Sequence, residues 1–182
     1  MEPLLKYNIE DNESKWYAVN TFYRHEKKVH EILSDKSYEV YLPLIKKVKR
    51  YKSKLKHYDV PLINNYVFVK TDCSQFINIS NISGVIRFVK IGDKISEIPE
   101  QEINYLKLIT GEINNIRTEP INNEGVIGKD IIISEGPLFG IKGKVVGIGN
   151  KNIIVVELSN LGIYLKFEVD SRMVKYIELS NS

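Results

Sequence analysis

Apolar residues along this chain come in short runs, and the period of those runs changes from strand-like to helix-like and back. Lys15-Trp16-Tyr17-Ala18-Val19-Asn20 is short, aromatic and β-branched, which predicts a strand. Between Arg24 and Leu33 the apolar positions are Val29, Ile32 and Leu33, the three-and-four spacing of one helical face, with Arg24, Lys27, Lys28 and Glu31 left to solvent. Residues 38–48 predict a second strand, and a basic turn around Tyr51 and Ser53 leads into a third that reaches Lys70. From Tyr66 to Val69 both alternating faces are apolar, as expected of a strand covered on two sides. Val85-Ile86-Arg87-Phe88-Val89 predicts a further strand. Pro99 then suits the first turn of a helix whose inward face is Ile103, Leu106 and Ile109, with Gly111 placed to end it.

The pattern breaks after that helix. Residues 112–124 are rich in Asn, carry Pro120 and show no sustained apolar period, so they read as a linker. From residue 125 onward, β-branched runs over 126–134, 144–148, 153–158, 164–169 and 174–179 alternate with glycines, a rhythm that predicts a small antiparallel barrel. A helical tail is disfavoured, because each interior glycine costs about 1 kcal/mol relative to alanine. The expected organisation is a loose acidic tail over 1–14, an α+β domain over 15–111 built on an antiparallel sheet flanked by helices, a flexible linker over 112–124 and a β-barrel over 125–182.

Composition narrows the class. A chain of 182 residues has room for two small cores, and 43% hydrophobic with 27% charged residues is neither disordered nor membrane-like. No apolar run approaches the roughly 20 residues that span a bilayer, so no membrane partner is expected. The single cysteine, Cys73, cannot form an internal disulfide, and with His25, His30 and His57 it makes no spaced zinc-ligand set, so a reducing cytoplasm is expected and no metal. Catalytic groupings are equally thin. Cys73 has no evident base, Glu100 and Glu102 read as solvated helix positions, and Gly147-Ile148-Gly149 is not followed by a nucleotide-binding helix. A non-enzyme without cofactor is the expectation.

Charge does change the picture. The net value of +3 hides a concentration: Lys46, Lys47, Lys49, Arg50, Lys52, Lys54 and Lys56 fall between residues 42 and 58 with no acid among them, leaving the rest of the chain net negative. Lysine suits phosphate, and the interleaved Tyr51 and Tyr58 can stack on unpaired bases, so the segment is a candidate nucleic-acid contact. The competing reading is a solvated lysine-rich hairpin.

The order and spacing of several strings resemble the NusG superfamily: Trp16-Tyr17-Ala18-Val19, then Glu26-Lys27-Lys28-Val29, Pro61-Leu62-Ile63-Asn64-Asn65-Tyr66-Val67-Phe68-Val69, Gly84-Val85-Ile86-Arg87-Phe88-Val89 and Ile98-Pro99. In the tail, the twelve residues from Glu135 to Val146, with Gly136, Gly140 and Gly143, are similar to the KOW motif. Leu42-Pro43-Leu44 and the lysine-rich hairpin resemble the specialised UpxY, LoaP and RfaH type, while Asn64-Asn65 departs from the family pattern.

The resemblance implies an NGN-like first domain and an SH3-like KOW barrel in a monomeric transcription elongation and antitermination factor. It implies docking on the clamp helices of RNA polymerase's largest subunit, with Trp16, Tyr17, Leu62, Ile63, Tyr66 and Phe88 as candidate anchors, each of which could equally be core. DNA of the transcription bubble is the implied nucleic acid, with nascent RNA as a further contact. Where relatives read a DNA element, this chain has Phe22, Ile32 and Ser83, so any sequence it reads must differ; His25, Lys28 and Lys90 are candidate contacts, with an ordinary surface role as the competing reading for each. The family's partner loop falls at Leu161, Gly162 and Ile163, where Rho or a ribosomal protein would bind. Two alternatives stay open: a general factor coupling polymerase to Rho or the ribosome, and a KOW-type RNA-binding or ribosomal protein.

Overall fold

The computed structural model describes residues 13–51, 54–113, 116–120, 128–147 and 151–177. The expected tail over 1–14 lies outside these except for Glu13 and Ser14. The chain forms two compact units, one comprising Met1–Pro43 and Ile63–Ile103, the other Leu44–Leu62 and Asn104–Ser182.

In the first unit, β1 (Lys15–Thr21) is the centre of a five-stranded antiparallel sheet. It pairs with β5 (Tyr66–Thr71) in the register Trp16↔Lys70 and Val19↔Val67, and with β6 (Val85–Phe88) and β9 (Glu97–Ile98) on its other side, while β2 (Glu39–Tyr41) lies outside β5 and β7 (Lys90–Ile91) pairs with β8 (Lys94–Ile95) as a separate short hairpin. Val67, Phe68 and Val69 are all fully buried, so β5 is covered on both faces as its sequence predicts. On one side Tyr17 meets Phe76 edge to face at 5.0 Å, and Phe76 lies 4.8 Å from Phe88, an aromatic cluster seated by the short helix α2 (Phe76–Ser80). Trp16, one residue along β1, projects to the opposite side, where its indole N–H donates to Glu100 Oε2 at 3.1 Å, in the first turn of α3 (Glu100–Glu112).

Two expected strands prove to be broken, each for a local reason. Residues 38–48 divide at Leu42-Pro43: β2 stays in the first sheet, and β3 (Leu44–Tyr51) leaves to pair with β4 (Lys54–Pro61) as a separate two-stranded ribbon. Pro43 has no N–H to continue a ladder. The third strand stops at Pro61 and resumes at Tyr66, because Asn65 adopts φ 64°, a left-handed conformation that asparagine tolerates.

A buried carboxylate stabilises that break. Glu26, in the first turn of α1 (Glu26–Asp35), is only 4% exposed, and its Oε1 accepts from the Asn65 backbone N–H at 2.8 Å. Replacing Glu26 with alanine strands a buried donor and is expected to cost about 2 kcal/mol in denaturant unfolding, whereas glutamine, which keeps an acceptor oxygen, loses markedly less. Equal losses for the two variants would mean that charge, not the hydrogen bond, holds the turn.

In the second unit, β10 (Arg117–Pro120), β11 (Lys129–Ile133), β12 (Lys142–Gly147), β13 (Lys151–Leu158), β14 (Ile163–Asp170) and β15 (Val174–Tyr176) form one antiparallel sheet in the order β10-β14-β13-β12-β11-β15. Ile131, Ile133, Ile141, Ile154, Leu158 and Leu165 are fully buried in it. Among the described residues β10 and β15 are its two edges and do not pair, so the sheet is open where a closed barrel was expected. Both edges are short, and Pro120 cannot donate to a ladder. The segment expected to be linker supplies one of those edges, pairing Arg117↔Lys166 and Glu119↔Tyr164, with Lys166 ion-paired to Glu119. No helix among the described residues is long and apolar enough to cross a membrane.

Candidate nucleic-acid and polymerase interface

The ribbon β3–β4 holds eight cross-strand pairs, from Leu44↔Pro61 to Tyr51↔Lys54. Because opposite residues share a face and successive residues alternate, the register sorts its charges. Lys47 and Lys49 of β3 share one face with Lys54, Lys56 and Tyr58 of β4, and no carboxylate is on that face. Lys46, Val48 and Arg50 share the other with Leu55, His57 and Asp59, the acid standing opposite Lys46. All six lysines and arginines named here are exposed, and Tyr58 is 39% exposed. Lys52 lies outside the described residues. Lys49 directly opposes Lys56 in the register.

The six candidate polymerase anchors divide differently. Trp16, Tyr17, Leu62, Ile63 and Phe88 are buried, so in this structure they are core residues, and Tyr66 alone is half-exposed. Tyr66 begins β5 opposite Asn20, beside the Asn65 turn held by Glu26.

The loop between β1 and α1 presents residues that periodicity did not reveal. Phe22 and Tyr23 are exposed at 55% and 68%, Arg24 turns back at φ 61° with its guanidinium 4.9 Å above the Tyr23 ring, and His25 Nδ1 lies 3.1 Å from the Tyr23 carbonyl oxygen. Phe22 N–H donates to the Gly84 carbonyl at 3.0 Å. Gly84 has φ 101°, and a Cβ there would lie 2.9 Å from Val29 Cγ2, so this approach requires glycine. Lys28, Ser83 and Lys90 are exposed, and Ile32 is half-buried. Two aromatics immediately after a strand and before a helix were the available sign, since the chain there has no covered face to put both on.

In the second unit, Ser159–Leu161 forms a single 3-10 turn ended by Gly162 at φ 67°, which leaves Leu161 and Ile163 half-exposed. Gly136 and Gly140 both take positive φ around the turn whose Leu138 is buried and whose Phe139 is 68% exposed. Phe139 was not singled out from sequence, because alternation does not extend through a glycine-bounded turn. Among the described residues no group of three or more His, Cys, Asp or Glu side chains could hold a metal ion.

These features can be set against known proteins. The family profile described as "Transcription termination factor nusG" matches residues 14–107. The chain belongs to the NusG family. Members are transcription factors rather than enzymes, and this NusG-family chain carries the family segment on its first sheet and the ribbon. The solved structure "Domain interaction in Thermotoga maritima NusG" is similar over 91% of this chain and 98% of that one, with a TM-score of 0.55 and 18% identity, a likeness of fold. The MjSpt4:Spt5 complex in conformation A aligns over 90% and 98% of the two chains at 18% identity, with a TM-score of 0.31. No curated protein matches in sequence.

Proposed function

We propose that this NusG-family chain is a cytoplasmic elongation factor that binds RNA polymerase through residues 15–111 and suppresses pausing and termination. Residues 125–182 then act as a KOW module that recruits a second partner through Leu161, Gly162 and Ile163, with residues 112–124 as the connection. The clamp helices of the largest polymerase subunit are the proposed docking partner, and the bubble DNA meets the ribbon. Placement with the specialised UpxY, LoaP and RfaH type rests on Leu42-Pro43-Leu44 and the lysine-rich ribbon.

The observation that carries this reading is the family match over residues 14–107 together with six exposed cations on a ribbon that forms its own two-stranded sheet. Lysines spread for solubility would not be gathered on one ribbon while the rest of the chain is net negative.

Binding of the full chain to reconstituted elongation complexes is the direct test. Tyr66→Ala, at the one accessible anchor, is expected to weaken that binding about tenfold with the fold intact by circular dichroism. A chain that ignores elongation complexes yet binds free RNA tightly would instead be a KOW-type RNA-binding protein, and the proposal would fall.

A further inference from the structure

The left-handed turn at Asn65 holds two buried oxygens that the hydrogen bonds of the described residues leave unanswered. Thr21, the last residue of β1, is 1% exposed, and its Oγ1 has no hydrogen-bond partner among those residues. Asn65 Oδ1 is likewise buried without one. The two residues are tied by their backbones, since the Thr21 N–H donates to the Asn65 carbonyl at 2.8 Å, one step beyond the Asn20↔Tyr66 pair. The Asn65 N–H in turn donates to the Glu26 carboxylate, itself 4% exposed. Hydroxyl, amide oxygen and carboxylate therefore gather around one turn of the first unit.

The chemistry of these groups selects what can join them. Thr21 Oγ1 and Asn65 Oδ1 are not bonded to each other. Residues directly opposite on antiparallel strands hold their Cβ atoms about 5 Å apart, a separation on the scale that one water spans with two hydrogen bonds. A water accepts from the Thr21 hydroxyl, donates to the Asn65 oxygen and keeps a second proton for the Glu26 carboxylate, which is about the three bonds that buried waters make. A cation fits less well. Only Glu26 carries charge, its carboxylate already accepts from Asn65, and a hard cation such as calcium takes about six to eight oxygens.

We infer that a single water is bound between Thr21 Oγ1 and Asn65 Oδ1, beside the Glu26 carboxylate, as a fixed part of the joint that precedes Tyr66. It couples the end of β1 to the start of β5 and to the first turn of α1. The inference stands apart from the polymerase reading, because it concerns how the turn is built and not what Tyr66 meets.

Thermal unfolding of the full chain reads the site through the sign of a shift. Thr21→Val keeps the branched shape of the side chain and replaces only the hydroxyl. A hydroxyl buried with no ligand costs stability, so its removal would raise the melting temperature. A hydroxyl that holds a water does the opposite, and Thr21→Val is expected to lower the melting temperature of the first unit by about 4–8 °C. Asn65→Gly suits the left-handed backbone and deletes the other partner. In that background Thr21→Val is expected to have about half its effect or less, because the water has already lost its site. A crystal structure of the full chain that resolves ordered water is expected to place one within about 3.2 Å of both oxygens. A raised or unchanged melting temperature for Thr21→Val, additive losses in the double variant, or an Asn65 amide found bonded directly to Thr21 would overturn the inference. So would a parental melting temperature that differs between sodium and potassium salts at one ionic strength, which would put a cation in the site.

Discussion

Replacing Trp16 with alanine is expected to destabilise the first unit by about 3–5 kcal/mol, a large share of the stability of an ordinary small domain. Trp16 is 2% exposed at the centre of the five-stranded sheet, in register with Lys70 and Ile98. Its truncation removes the largest buried side chain of that unit and leaves a cavity that the two neighbouring strands, held by their ladders, cannot fill. It also removes the indole N–H donor to Glu100, which ion-pairs with Lys70 at 3.2 Å as well. That pair is half-exposed and contributes little, so packing dominates the loss. Phenylalanine at this position should recover most of it, since it keeps an aromatic body and gives up only a half-buried hydrogen bond. Urea unfolding followed by circular dichroism separates the cases, and a loss below about 1 kcal/mol for alanine would show that Trp16 is not a core residue. The comparison also bears on function, because lost polymerase binding in the alanine variant would report unfolding, whereas Tyr66→Ala leaves the core untouched.

The strands of the first unit and the helices α1 and α3 were legible because each has one dominant period. Val29 with Leu33, and Ile103 with Leu106 and Ile109, are buried at the spacing that predicted them. What escaped were events that periodicity does not encode: the separation of β2 from β3 at Pro43, the left-handed Asn65 stabilised by a glutamate 39 residues away, and the short α2. The β10 edge escaped for a related reason, since Arg117-Thr118-Glu119-Pro120 holds no apolar residue and is a strand only because β14 offers it a free edge. The basic ribbon was legible as charge, yet its sorting into two chemically different faces follows from a register that only the pairing reveals. Candidate anchors were ambiguous in the sequence. Aromatic residues in family strings mark the core and a docking face equally well, and burial assigns five of the six to the core, leaving Tyr66 accessible.

A single methyl group at Gly143 is expected to destabilise the second unit's sheet by about 3 kcal/mol, at the upper end of what overpacking costs. A Cβ built there would lie 2.6 Å from the Val155 carbonyl oxygen and 3.2 Å from Ile154 Cγ2. The first contact is with backbone, so no rotamer change can relieve it. Gly143 sits on β12, which pairs with β11 through Ile131↔Gly143 and with β13 through Lys144↔Val155. Moving away from Val155 therefore stretches the ladder that joins β12 to β13, and moving towards β11 compresses Ile131, which is fully buried. Gly140, three residues earlier, provides the contrast. Nothing lies within 4 Å of a Cβ there, and alanine meets only the strain of φ 86°, about 1 kcal/mol. Thermal unfolding of the two variants should rank Gly143→Ala well below Gly140→Ala, and the reverse order would mean that the β12–β13 approach is looser than described. The same glycine is the last glycine of the KOW-like string, and the close approach gives it a reason to be glycine that owes nothing to any partner: it lets β12 lie against β13 so that Ile154, Val156 and Leu158 can be buried. A fully folded Gly143→Ala chain that failed to recruit a partner would contradict this and place the residue in the interface instead.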